Sequence, residues 1–204
     1  MLRILVTILL HASCLCRLAA QRHVLNHYSV AVTTLHTNLP FHSFSSLITK
    51  EYHPGVELGT GFSWQQKAKH EWYQELTLGY SYHRWVQHTL CLYTSVGYRY
   101  KFPRGFIADV SLGAGYLHAI ADSKIFKLQA DGTYRRKFNG GRAQAMAALT
   151  IGIGKTFFPG KTVFVRYQQR VQTPFIKSYV PVLPANLLML GVSIALHQPT
   201  INNH

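Results

Sequence analysis

The residues of this chain with chemistry to offer are its charges, and their spacing separates them from an ordinary solvated surface. Glu57, Glu75, Asp109 and Asp131, together with Arg99, Lys127 and Arg166, stand at positions that alternate with apolar residues in their own segments. Four of the seven acids in the chain thus share a face with three bases, although each segment is phased by its apolar residues alone. Charges gathered on a face withdrawn from water must pair with one another, because an unpaired buried charge is costly. The chemistry expected of this set is an interior ionic network.

A second set, Lys67, Lys69, Lys101, Arg104, Arg135, Arg136, Lys137 and Arg142, lies in connections between those segments, with Arg170 and Lys177 near the last one and hardly any acids beside them. Basic side chains in such places form charge-assisted hydrogen bonds with lipid phosphates, or are simply the solvated loops of a basic protein. The formal net charge is +14, about +12 once Arg3 and Arg17 leave with a leader peptide. A balance of this kind usually suggests nucleic acid, but an exported chain meets other polyanions first. The partners expected are outer-membrane lipid and lipopolysaccharide phosphates, with no nucleic acid.

The twelve histidines show no ligand spacing beside Cys or carboxylate partners, so no metal is expected. His23, His27 and His36 precede the alternating segments, His53 precedes a Pro-Gly turn, and His83, His88, His118 and His197 sit near segment ends, where amphipathic rings are at home. The Gly-x-Gly sequences lie inside alternating runs and not in a GxGxxG turn before a helix, which argues against a nucleotide cofactor.

The elements that must position these charges are strands. Trp72, Gln74, Leu76, Leu78, Tyr80 and Tyr82 alternate with Tyr73, Glu75, Thr77, Gly79 and Ser81, and alternate side chains of a strand point to opposite faces. The same rhythm predicts eight strands near 54–64, 71–83, 88–100, 105–119, 124–134, 143–157, 162–170 and 185–197. Each reaches the roughly 9–11 residues that a tilted strand needs to cross a bilayer core. If the first strand leaves the periplasm, the connections near 65–70, 101–104, 135–142 and 171–184 are extracellular. Segment 21–52 is a lead-in or an extra hairpin, with Tyr28–Leu35 and Phe41–Thr49 as arms that would raise the count to ten.

One face of these strands is apolar throughout, from Val56, Leu58 and Phe62, through Leu76, Leu90, Leu112, Phe126, Leu149 and Tyr167, to Leu190 and Ile194. A soluble barrel would hide that face inside and show its charges outside. An eight-stranded barrel, however, encloses room for side chains and little more, so the lumen cannot house both the bulky aliphatics and seven charges. The apolar face is therefore expected to meet lipid. Glycines on the other face, among them Gly59, Gly79, Gly97, Gly152 and Gly191, make space for long basic arms, and aromatics such as Trp64, Trp72, Tyr116 and Phe158 concentrate at strand ends as interfacial girdles.

Arg3, the apolar run to Leu10 and the small-residue end Leu18-Ala19-Ala20 read as a secretory signal peptide over 1–20, and the residues before Cys14 and Cys16 do not resemble a lipobox. After cleavage only Cys91 remains, so no internal disulfide is expected. The barrel proper is expected over 53–197, with a tail over 198–204.

Three stretches resemble small outer-membrane β-barrels of the Bacteroidetes type: His53-Pro54-Gly55-Val56-Glu57-Leu58-Gly59, the Gly-x-Gly-Tyr of Gly113, Gly115 and Tyr116, and the loop from Pro174-Phe175 to Leu183-Pro184 before the final strand. The resemblance spans 53–197 and implies an architecture without a reaction. The His-x-Ser-Asn strand motif of the lipid A deacylase barrels is absent.

The expectation is thus an all-β protein, a closed antiparallel transmembrane barrel of eight strands, monomeric, in the outer membrane of a Gram-negative bacterium. Its role is structural or surface-binding, with a plugged lumen. A lipid-modifying enzyme and a soluble periplasmic ligand-binding barrel stand as alternatives.

Overall fold

The computed structural model describes residues 27–36, 53–84, 86–122, 125–128, 132–137, 140–174 and 181–195. Its strands are β1 (His27–His36), β2 (Pro54–Gln66), β3 (His70–His83), β4 (Gln87–Lys101), β5 (Phe106–Ala121), β6 (Ile125–Leu128), β7 (Tyr134–Lys137), β8 (Arg142–Phe158), β9 (Lys161–Thr173) and β10 (Leu183–Ala195). Eight of them close into one barrel in the order β1-β10-β9-β8-β5-β4-β3-β2, while β6 and β7 pair only with each other. Every barrel pairing is antiparallel, and β1 closes the ring, His27 standing opposite both Gly61 and Ala195. No barrel strand is left with an open edge, the condition for a sheet in a medium that cannot hydrogen-bond it.

The strand count agrees with the sequence reading, but one member differs. The segment expected as a strand over 124–134 is not in the barrel. Its alternation covers only Phe126, Leu128 and Ala130, and Gly132 at φ 80 turns the chain back into a hairpin with four-residue arms. Such an arm spans about 13 Å, too little to cross a bilayer core of about 30 Å. Its place is taken by β1, which covers the arm Tyr28–Leu35 that the sequence offers as half of an extra hairpin. The proposed partner arm Phe41–Thr49 lies outside the described residues, as do segments 1–20 and 198–204.

This exchange reassigns the two ends of the barrel. Connections 67–69, 102–105 and 159–160 lie at the end that also carries the start of β1 and the finish of β10, where Ala195 N donates to Gly160 O at 2.7 Å. The long connections 37–53, 122–141 and 174–182 lie together at the opposite end with the short 84–86. Lys67, Lys69, Lys101 and Arg104 are thus at the short-turn end and not beside Arg135 and Arg142, as the strand list from sequence implied. Turn chemistry matches this: Pro159-Gly160 forms a two-residue link with Gly160 at φ 75, a conformation that costs glycine nothing.

The faces are inverted relative to a water-soluble protein. Leu58, Leu78, Leu92, Leu112, Ile153 and Leu190 point outward and are exposed, Leu112 by 67%. Glu57, Glu75, Asp109, Gln168 and Arg170 point inward and are buried. Exposed aromatics bracket the apolar band: Trp64, Trp72, Phe102, Phe106, Phe157 and Phe158 at the short-turn end, Tyr80 and Tyr116 at the other. Such a continuous apolar outer band is stable against lipid and not against water.

Tyr167 departs from the expected lipid face. It holds an outward position yet is buried, because its hydroxyl donates to Asn186 Oδ1 at 2.9 Å, an outward amide that needs a partner away from water. The lumen is also less uniformly polar than expected. Leu35, Leu187 and Met189 cluster on one wall and Leu117, Ala119 and Met146 on another, towards the long-connection end.

Replacing Leu112, near the centre of β5, with Arg is expected to destabilise the barrel by about 2–4 kcal/mol in lipid vesicles. Denaturant titration of folding into vesicles measures this, with Tyr134→Arg on β7, outside the barrel, as a variant expected to change little.

Candidate functional site

The inward face builds two ionic clusters, one above the other. The first begins near the short turns, where Lys101 Nζ reaches Glu71 Oε2 at 2.9 Å and Arg99 reaches Glu71 Oε1 at 3.5 Å. Asp109 Oδ2 lies 3.9 Å from Arg99 and 2.9 Å from Arg166, whose other terminal nitrogen is 3.3 Å from Glu75 Oε2. Positive and negative groups alternate along this chain, so each carboxylate has a base beside it. Hydroxyls add further donors: Ser63 donates to Glu71 Oε1, Ser29 to Glu75 Oε1 and Tyr73 to Asp109 Oδ2.

The second cluster centres on Arg170, which is 1% exposed. Its guanidinium donates to Glu57 Oε1 at 2.8 Å and twice to Gln168 Oε1, at 2.7 and 3.1 Å. Tyr93 donates to Glu57 Oε2 at 2.8 Å, and the Gln168 amide donates to Tyr93 and Thr150. Aromatic faces cover the cations: Arg170 lies 5.6 Å from the Tyr93 ring centroid, Arg166 4.3 Å from Phe164 and Arg99 4.6 Å from Tyr73. Charge-assisted bonds in such dry surroundings are among the strongest in proteins and are expensive to break.

Of the seven charges expected inside, Glu57, Glu75, Arg99, Asp109 and Arg166 are there. They divide between the two clusters, Glu57 belonging to the second. Lys127 belongs to β6, outside the closed sheet, and Asp131 lies outside the described residues. In their stead the lumen holds Glu71, Lys101 and Arg170. Strand parity points to all three: Glu71 is in phase with Tyr73 and Glu75, Lys101 with Arg99, and Arg170 with Arg166 and Gln168. Of the three, only Lys101 falls in a predicted connection; Glu71 and Arg170 stand at the first and last positions of predicted strands, where the neighbouring connection makes a charge look solvated.

Four acids, Glu57, Glu71, Glu75 and Asp109, therefore face four bases, Lys101, Arg99, Arg166 and Arg170, and the described interior is electrically balanced. Missing side chains make the fit possible. A Cβ on Gly97 would overlap the Tyr73 ring, and one on Gly152 would overlap Asp109 and Arg166. Between the clusters a gap bordered by Ser29, Thr77, Ser95, Ser111 and Thr150 has room for about one water. Side chains, and not an open pore, fill this level of the barrel.

Of the basic set, Lys67, Lys69, Arg104, Arg135 and Arg142 are exposed, whereas Lys101 is drawn into the lumen by Glu71. Arg136 and Lys137 lie on β7, and Lys177 lies outside the described residues. Outside the barrel near the long connections, His88 Nδ1 meets the Tyr80 hydroxyl at 2.8 Å and His88 Nε2 meets Asp122 at 3.4 Å, while Tyr82 donates to Asp122 at 3.1 Å. Both ring nitrogens are engaged, so His88 links polar groups at the rim. Among the described residues no group of three His, Cys, Asp or Glu side chains is placed to hold a metal ion.

No protein-family model matches the sequence, and no curated protein matches it. Among solved structures the chain is similar to neisserial surface protein A, at 10% identity and a TM-score of 0.48, over 83% of this chain and 94% of that one. It is similar also to the outer membrane enzyme PagL, at 14% and 0.49 over 83% and 99%, and to the attachment invasion locus protein Ail of Yersinia pestis, at 11% and 0.43 over 84% and 99%. These likenesses stop at architecture, and the residue roles here rest on the geometry of this chain.

Arg170→Met is expected to cost about 3–5 kcal/mol, because it leaves the Glu57 carboxylate without its cation. The double variant Glu57→Gln, Arg170→Met is expected to recover most of that loss. Urea unfolding of the single and double variants in vesicles gives the coupling; equal losses in both would mean that the pair is not what stabilises this level of the lumen.

Proposed function

We propose that the protein is a monomeric outer-membrane barrel with a sealed lumen, exported by a signal peptide over 1–20, that acts at the cell surface. Its long connections face outward, and Arg135, Arg136, Lys137 and Arg142 hold lipopolysaccharide phosphates. The observation that carries this reading is the balanced interior. Four acids and four bases are spent on one another, so among the described residues the inward charges pair across the lumen and do not line an ion path.

The placement of the connections supports the orientation. Short turns beside the chain ends and longer connections opposite are the habit of outer-membrane barrels. The long-connection end carries exposed Arg135 and Arg142, and the β6–β7 hairpin extends from the barrel there, attached through connection 122–141. Guanidinium groups at the outer leaflet suit phosphate, which they can engage through two parallel hydrogen bonds.

Two measurements test the reading. In planar bilayers the protein is expected to give no large, stable conductance, and finding one would overturn the sealed lumen. Replacing Arg135, Arg136, Lys137 and Arg142 with Gln is expected to lower the lipopolysaccharide that co-purifies with the barrel several-fold and to raise outer-membrane permeability. Unchanged retention and permeability would remove lipopolysaccharide as the partner while leaving the barrel intact.

A further inference from the structure

The short-turn end has a charge pattern that the lumen does not explain. Lys67 and Lys69 occupy the first turn, Arg104 the second and Lys161 the edge of the third, all exposed. These turns join different strand pairs, so the cations are spread around the rim and not gathered on one hairpin. Among the described residues the acids at this end are Glu71 and, across Arg99 from it, Asp109, both buried and already engaged by Arg99, Lys101 and Arg166. The rim thus carries an unbalanced positive charge, while the interior beside it is neutral.

An aromatic belt sets the depth of this rim. Trp64, Trp72, Phe102, Phe106, Phe157 and Phe158 are exposed beside the same turns. Lys155 links belt and rim: its register opposite Phe106 and Val163 sets it between β5 and β9, and its Nζ lies 5.0 Å from the Phe106 ring centroid and 5.3 Å from Phe157. Aromatic rings settle at the level of lipid headgroups, and a lysine can lay its stem along apolar surface while its ammonium reaches the polar layer. Cations just beyond such a belt stand at the height of the phosphates.

We propose that this rim binds the headgroups of anionic glycerophospholipids, of the phosphatidylglycerol or cardiolipin class, in the leaflet that faces the short turns. The occupant follows from charge complementarity together with depth: the aromatic belt holds these cations at the level of the headgroups, where the anions within reach are those of the lipid itself. A zwitterionic headgroup has no net charge for the unbalanced rim to neutralise. The barrel therefore distinguishes the two leaflets through different basic sets, Lys67, Lys69, Arg104, Lys155 and Lys161 on this side and the long-connection arginines on the other. The proposal rests on the membrane-spanning reading but not on lipopolysaccharide binding at the opposite end.

The test uses the full chain folded in mild detergent, offered equal amounts of phosphatidylethanolamine and phosphatidylglycerol, with retained lipid measured by native mass spectrometry. The expected result is at least a five-fold preference for phosphatidylglycerol that shrinks as salt rises. Lys67→Gln, Lys69→Gln, Arg104→Gln and Lys161→Gln together are expected to abolish the preference, whereas Arg135→Gln with Arg142→Gln leaves it intact. All four substitutions lie in or beside exposed turns, and retained heat-modifiable gel mobility verifies that the barrel folds. Equal retention of the two lipids by the unmodified chain would overturn the proposal. So would a preference that survives the four substitutions, or one that is lost only with the long-connection pair. Displacement of the bound lipid by soluble inorganic polyphosphate at equal charge would also overturn it, because the cations would then hold phosphate without regard to a lipid headgroup.

Discussion

A closed sheet of eight strands encloses space for side chains and little solvent, and its outer surface faces a medium that accepts no charge. An inward acid or base in such a barrel can neither reach bulk water nor turn outward, so it must find its partner across the lumen. Glu71, Arg99, Asp109, Arg166 and Glu75 meet this constraint by alternating in sign, and Glu57 and Arg170 meet it as a pair. Tyr93 supplies a hydroxyl donor to Glu57 Oε2, the oxygen that Arg170 does not engage, and Tyr73 adds one to Asp109 Oδ2 beside the arginines. Small residues opposite these bulky groups, Gly97 against Tyr73 and Gly79 beside Glu57, follow from the same shortage of room.

Much of this was legible from alternation alone, because one uninterrupted apolar face fixes the phase of every residue on the other. Glu57, Glu75, Arg99, Asp109 and Arg166 were found in that way. Arg170 escaped because it sits where β9 was expected to end, and a lone arginine beside a loop looks like solvated surface until its phase with Arg166 and Gln168 is followed. β1 is legible only as one arm of an optional hairpin, for a different reason. Its inward residues include Ala31 and Leu35, which pack against Leu187 and Met189, so both faces of the strand read as apolar and the two-residue period is blurred. Segment 124–134 misled in the opposite sense. A few alternating residues satisfy the pattern without the length to span the barrel, and the Gly132 turn becomes decisive only when strand length is weighed against bilayer thickness.

Exchanging one strand for another left the count unchanged but altered which connections share an end. A parity argument propagates through every later strand, so one wrong member can place basic groups from opposite ends on a single surface. Closure of β1 against β10 corrects this, bringing the short turns and both barrel termini to one side. The two ends then differ in kind: compact turns with an aromatic belt and scattered lysines at one, and long connections with exposed arginines at the other.

The ionic lumen also bears on register. Side chains alternate with a period of two, so a slip of β9 by one residue would turn Arg166, Gln168 and Arg170 towards lipid and bring Val165, Tyr167 and Val171 inside. Placing a single Arg on the lipid face near the midplane costs about 2–4 kcal/mol, before counting the carboxylates left behind without cations. An apolar lumen would impose no such penalty, because Val and Leu are acceptable on either side of a thin wall in lipid. The buried charges therefore contribute to choosing one register as well as to filling space.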